Sequence, residues 1–230
     1  MKKAKSLLNY FSKFELILWA SSLLLITVSF FLSKSSGYLT LTASLIGATS
    51  LIFCAKGNPF GQVLMIIFGL IYGFISFGFA YYGEMMTYVG MTVPMAVVAL
   101  VSWLRNPYEA GKAEVRINRI KSTEVVFMLI LTAAVTVAFY FILAAFGTAN
   151  ILPSTLSVTT SFIAVYLTAR RSPYFALAYA ANDVVLIILW VLASFSDISY
   201  ISVVICFMVF LANDLYSFIN WRRMERRQRG

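Results

Sequence analysis

RRSPYFALAYAANDVVLIILW, running from Arg170 to Trp190, opens with two arginines and a proline. Mostly apolar residues follow, roughly the twenty needed to cross a bilayer as a helix. Near the middle of that run stands Asn182-Asp183, preceded by Phe175 and Tyr179. An amide and a carboxyl at membrane depth are costly unless they face a cavity or a partner. Phe175, Tyr179 and Asn182 are spaced over about two helical turns and so share one face. That face suits a ligand ring held between aromatics, with its polar group on the amide. Asp183 points about 100° away. Three roles are open to it: supporting the site, pairing with a basic group, or remaining protonated.

The rest of the chain has the same character. Its 230 residues are 61% hydrophobic and 12% charged, with a mean hydropathy of +0.86. A soluble domain of this size does not need so much apolar surface. The charges bunch between eight apolar runs, at 15–32, 38–55, 60–82, 86–104, 124–146, 154–169, 174–194 and 199–220. The fold class is therefore an all-α integral membrane protein with eight spans. No polar stretch is long enough for a second domain, so a single transmembrane bundle over 1–230 is expected. The start, MKKAKSLLNYFSKFE, is basic with scattered apolar residues and reads as a short interfacial helix. Residues 15–32 resemble the core of a signal peptide. They are long and lack a small-x-small cleavage site, which points to a retained first span.

The net charge of +9 is topological rather than a nucleic-acid footprint. With the N terminus in the cytoplasm, 17 of the 18 lysines and arginines fall on that side. They lie before the first span, at Lys56, in the loop 105–123, at Arg170 and Arg171, and after Trp221; only Lys34 falls opposite. This is the positive-inside pattern, with both termini cytoplasmic. Cys54 and Cys206 lie in apolar runs and read as small buried hydrophobes. The sequence has no histidine, which removes HExxH zinc chemistry and a Ser-His-Asp triad. No Walker A loop, Rossmann fingerprint or metal-ligand cluster is present, so no cofactor is expected and an enzyme is disfavoured.

An internal repeat organises the spans. Ala55-Lys56-Gly57-Asn58-Pro59 matches Ala169-Arg170-Arg171-Ser172-Pro173, 114 residues later. A long span follows each, then an acidic outer turn (Glu84; Asp197), a tyrosine (Tyr88; Tyr200) and a last span ending in Trp103-Leu104-Arg105 or Trp221-Arg222-Arg223. Repeat one is 38–104 and repeat two 154–220. The single linker helix 124–146 gives both the same orientation, a parallel repeat. The helix 15–32 is extra, and a substrate path is expected on the axis between the repeats.

The last span carries Asn213, Asp214, Ser217 and Asn220. Asn213, Ser217 and Asn220 share a face, and Asp214 is within reach of Arg222 or Arg223. The first repeat holds Gln62, Tyr72, Ser76 and Tyr81, then Thr87, Thr92 and Pro94, with no Asn-Asp pair. Gly61, Gly69, Gly73 and Gly78 favour close helix contact, and Pro94 suggests a kink. Tyr81, Tyr82, Trp103 and Trp221, near span ends, read as interface-belt residues.

At these residues the chain resembles the PnuC family of vitamin transporters. The features are the KGN-P turn after the second span, Tyr82-Gly83-Glu84, Asn182, and the closing segment from Phe210 to Met224. The resemblance covers most of 38–225. It implies a SWEET-like 3+1+3 bundle in the bacterial inner membrane and uptake of nicotinamide riboside by facilitated diffusion. It also implies a functional link to a cytoplasmic kinase that traps the vitamin. Relatives serve thiamine and other nucleoside-like vitamins. Many members place tryptophans seven and four residues before the Asn, where this chain has Phe175 and Ala178. The ligand ring is then expected near Phe175, Tyr179 and Trp190, with Asn182 bonding its carboxamide or ribose. Asn213, Ser217 and Tyr72 complete the expected cavity, with Asp183 beside it. Ion-coupled transport through a carboxylate, and a non-transporting assembly subunit, are the rival readings. The sequence is silent on a homo-oligomer.

Overall fold

The computed structural model describes residues 10–33, 37–78, 82–148 and 150–230, with backbone alone at 82–84. Within them, eight helices are long and apolar enough to cross a membrane. They are α1 (Lys13–Leu32), α2 (Tyr38–Ala55), α3 (Phe60–Gly78), a composite fourth span, α6 (Ser122–Ala145), α7 (Ile151–Ala169), α8 (Tyr174–Ser194) and α9 (Ile201–Arg227). The fourth span joins α4 (Tyr82–Thr87) and α5 (Val93–Leu104) through a π-helical turn, Tyr88–Thr92. Much of the expected interfacial helix falls on residues 1–9. Those residues, Lys34 and the side chains of Tyr81, Tyr82 and Glu84 lie outside the described set.

α1 starts on a capping box. Ser12 Oγ accepts from the Glu15 amide at 3.2 Å, and Glu15 Oε2 accepts from the Ser12 amide at 2.6 Å. The same buried carboxylate accepts from Lys56 Nζ at 3.1 Å and from Tyr216 Oη at 2.8 Å. One side chain thus fastens α1 to the α2–α3 turn and to α9.

The turns α2–α3 and α7–α8 are built alike. α2 ends through bonds from the Gly57 amide to Cys54 O (2.9 Å) and from Asn58 to Phe53 O (3.0 Å). α7 ends through bonds from Arg171 to Thr168 O and from Ser172 to Leu167 O, both 3.0 Å. Such a stop needs a left-handed residue, which Gly57 (φ 62°) supplies without strain and Arg171 (φ 57°) supplies against it. The Arg171 guanidinium is anchored on Arg116 O at 3.1 Å and Ser102 Oγ at 2.7 Å. Burial, with Arg170 and Arg116 nearby, pushes its pKa below the ordinary arginine value.

Each turn is then capped from the other half of the chain. Trp221 Nε1 donates to Cys54 O, and Trp103 Nε1 donates to Thr168 O, both at 2.8 Å. Asn220 Nδ2 donates to Ala55 O at 2.8 Å, and Ser102 Oγ donates to Ala169 O at 2.7 Å. These bonds use carbonyls that a helix C-terminus leaves without intrahelical partners. Trp103 and Trp221 are both 0% exposed, with rings 5.3 Å apart. They are therefore not belt residues, because their N–H groups have partners inside the protein.

The loop 105–123 lies across both turns. Val115 donates to Gly57 O and Asn118 to Arg171 O, each at 3.0 Å. α9 runs on past Trp221 to Arg227, and its end clasps the loop. Gln228 Oε1 accepts from Ile117 N at 2.8 Å, Glu225 pairs with Arg119 at 3.3 Å, and Arg227 pairs with Glu114.

α6 is the outlier. Only 11% of its spanning window is buried, and Val126, Phe127, Ile130, Val137 and Phe141 point outward. It packs chiefly on α7, through a Thr136–Thr159 hydroxyl bond of 2.9 Å and a Glu124–Arg170 ion pair. At Gly61 the α2–α3 approach leaves no room for a side chain: an added Cβ would lie 2.6 Å from Cys54 Sγ and 2.7 Å from Cys54 N.

Candidate ligand cavity

A cavity of about 580 Å³ lies among α3, the π-turn, α7, α8 and α9. That is within the usual range for small-molecule sites. Toward the charged turns its lining ends at Leu51, Met65, Val165 and Tyr179, with Asp183 and Asp214 in its inner half. One turn beyond Tyr179 along α8, Phe175 packs on Trp221 (4.8 Å between rings) and Trp103 (6.4 Å). This aromatic plug separates the cavity from the two charged turns. At the other end the lining reaches Phe146, Gly147, Thr148 and Asn150 of the α6–α7 connection, and Ser196 beyond α8.

Two aromatic walls face the space. On one side Tyr72 of α3 and Tyr88 of the π-turn have ring centroids 4.6 Å apart, with Phe68 behind them. On the other, Trp190 and Tyr200 lie 5.3 Å apart. The π-turn adds a residue to the helical circuit and re-aims Tyr88, a device frequent at functional sites. It sits just before Pro94, where a simple kink was expected.

Asn182 is oriented from α7. Its Oδ1 accepts from Ser157 Oγ at 3.1 Å and from Thr160 Oγ1 at 2.9 Å. With the carbonyl so occupied, the amide NH₂ is the donor left for the cavity. Asp183, at midspan, lines the cavity together with Asp214 of the adjacent α9. No lysine or arginine is among the described residues lining it.

Of the residues singled out in the sequence, the structure brings Tyr72, Tyr179, Asn182, Asp183 and Trp190 to this one space. Phe175 is on the right face of α8 but below the cavity, in the plug. Asn213 and Ser217 are turned away from it. Asn213 Nδ2 donates to Ser22 Oγ of α1 at 2.9 Å and to Val209 O at 2.8 Å. α9 lies between α1, α2 and α8, so a one-residue step along it changes the neighbour, and Asp214 faces inward instead. Among the described residues no arginine forms an ion pair with Asp214; Arg222 pairs instead with Glu225 and stacks over Tyr174. Phe68, Tyr88, Tyr200 and Ser157 were not singled out as site residues. Tyr88 and Tyr200 carried a usable signal: each follows the outer turn of its repeat.

The model of the nicotinamide mononucleotide transporter family matches residues 37–223, from just before α2 to near the end of α9. The chain belongs to this family. A nicotinamide mononucleotide transporter family protein is a multi-pass membrane transporter and not an enzyme. The nicotinamide riboside transporter PnuC of Neisseria mucosa (strain ATCC 25996 / DSM 4631 / NCTC 10774 / M26) is 25% identical over 231 residues, which cover 98% of this chain and 87% of that one. The crystal structure of the vitamin B3 transporter PnuC superposes with a TM-score of 0.80 at 21% identity, covering 95% of this family member and 94% of that chain. The fold is thus that of a solved transporter.

Proposed function

We propose that this chain takes up nicotinamide riboside across a bacterial inner membrane by facilitated diffusion, both termini being cytoplasmic. One observation carries the choice of ligand. The cavity offers aromatic faces, an amide and two carboxyls, but no cation among its described lining. A flat, positively charged pyridinium with a neutral ribose suits such a space, because aromatic faces attract cations. A mononucleotide's phosphate does not, since a buried phosphate calls for arginine, lysine or a helix N-terminus. The similarity to the Neisseria protein agrees with the riboside. Trapping by a cytoplasmic kinase completes the scheme, because a facilitator by itself only equilibrates.

The transport unit is read as residues 1–230: helix 15–32, then 38–104, 124–146 and 154–220 in a SWEET-like 3+1+3 arrangement. The reciprocal tryptophan caps support a parallel repeat. So does the lining, where Leu51 and Val165, Met65 and Tyr179, Phe68 and Asn182, and Tyr72 and Leu186 are paired 114 positions apart. The amide thus lies opposite an aromatic, an asymmetry suited to a ligand with one polar end.

The test is counterflow of labelled nicotinamide riboside in liposomes containing only this protein, without ATP or an ion gradient. Exchange is expected, blocked by unlabelled riboside and not by nicotinamide mononucleotide. Better block by thiamine would change the vitamin. Exchange that requires an ion gradient would overturn facilitated diffusion.

A further inference from the structure

Asp183 and Asp214 sit near the middle of α8 and α9, and their carboxyls lie side by side within hydrogen-bonding reach. They are 3% and 2% exposed. Each keeps one buried oxygen, Asp183 Oδ2 and Asp214 Oδ1, without a partner. Ionised carboxylates only accept hydrogen bonds, so two in contact need a proton between them. The other titratable groups around the pair are Tyr179 of α8, Cys54 of α2 and Cys206 of α9, and none brings a positive charge. Among the other groups lining the cavity, α7 contributes the hydroxyls of Ser157 and Ser161 and α3 contributes Tyr72. On α1, Glu15 is committed to Lys56 and Tyr216 at the charged end of the bundle.

Such a pair has two natural uses, as a glue between helices or as a site for something positive. Glue would leave both acids turned into the helix interface, with no reason for either to line a cavity. A metal ion is a poor fit, as no group of three or more metal-binding side chains exists among the described residues. A bulky, weakly hydrated organic cation fits better, because the pair stands next to the Tyr179 ring. We propose that Asp183 and Asp214 form a shared-proton cation subsite in the inner half of the cavity, which takes the charged ring of a flat organic cation and gives up a proton as that cation enters. This rests on the reading of the cavity as the vitamin site. It adds that recognition depends on the ligand's charge and on pH.

Three measurements on the full chain in lipid nanodiscs test it. Infrared spectra of the ligand-free protein should show a protonated-carboxyl band at neutral pH that D183N and D214N each diminish. Calorimetric titration with nicotinamide riboside should tighten as pH rises from about 6 to 8, by up to about tenfold per unit for one linked proton. Buffers of different ionisation enthalpy should reveal the released proton. Titration with the neutral dihydro form of the riboside should show no such dependence. D214N should weaken the cation about tenfold or more, abolish its pH dependence and cost the cation more than the dihydro form. If both forms bind with the same pH response, or no protonated carboxyl is seen, the cation subsite is overturned. If neither form binds, the riboside reading fails instead. The same pH series with thiamine, which also carries a flat cationic ring, then decides the subsite: a linked proton supports it and pH-independent binding sinks it.

Discussion

Asn182 is fixed by what it accepts, which determines what it can donate. Ser157 and Thr160 occupy its carbonyl, so the amide enters the cavity as a donor in one orientation. Asn182→Ala removes that donor and leaves two hydroxyls to find other acceptors. Transport of the riboside in proteoliposomes should fall about tenfold, the worth of one hydrogen bond of ~1.4 kcal/mol, with the protein still folded. Normal transport by this variant would remove Asn182 from the site. Tyr179→Leu should cost more, because it takes away an aromatic face beside the carboxyl pair; a binding titration with the riboside would show it. The pattern in α8 made this residue set visible in the sequence, but only in direction. A helical wheel places Phe175, Tyr179 and Asn182 on one face and cannot say at what depth the cavity ends. It ends between Phe175 and Tyr179, where two tryptophans from distant segments fill the space. The same limit explains α9: spacing groups Asn213 with Ser217, yet which neighbouring helix that face meets is a tertiary fact.

At the scale of elements, two pairs of helices are closed by reciprocal caps, and this makes a quantitative expectation. Trp103→Phe and Trp221→Phe each keep most of the buried ring but delete one N–H and part of the buried volume, leaving a gap beside a helix-end carbonyl that retains only its turn bond. Each should destabilise the protein by about 1–3 kcal/mol, read as a lower unfolding temperature in detergent. Since the rings touch, the double variant should depart from the sum of the singles. Strict additivity would mean that the two caps do not act as one unit. Gly61→Ala should destabilise by a similar ~1–3 kcal/mol through overpacking against the α2 backbone. Gly78→Ala, where nothing lies within 4 Å of the new methyl, should be near neutral. Element positions were legible because apolar runs of bilayer length are unambiguous. The role of the tryptophans was not. A tryptophan at the end of an apolar run is equally apt for an interface belt, and its acceptor lies 65 residues away for Trp103 and 167 away for Trp221. The turns were half legible: the shared proline and small or basic residues marked them, while the left-handed Arg171 in the place of Gly57 did not announce itself.

For the whole molecule, charge and cavity point in opposite directions along the bundle. The described arginines and lysines gather at the end that holds the turns, the loop 105–123 and the extension of α9. The cavity runs from the aromatic plug toward the other end, at the α6–α7 connection and Ser196. If positive charge marks the cytoplasmic face, the aromatic plug closes that face and the cavity approaches the outside, as the proposed uptake requires at the start of its cycle. The orientation is testable without a ligand. Cys54 and Cys206 are 3% and 7% exposed, so the unmodified chain should react little with a membrane-impermeant maleimide and provides its own background. Phe195, 84% exposed just past α8, and Ala110, exposed in the loop 105–123, are sites for single reporter cysteines. In intact spheroplasts Phe195→Cys should label from the outside at once, and Ala110→Cys only after permeabilisation. The reverse pattern would invert the bundle, put the open end of the cavity in the cytoplasm, and turn the resting state from one that awaits an outside substrate into one that has just released it.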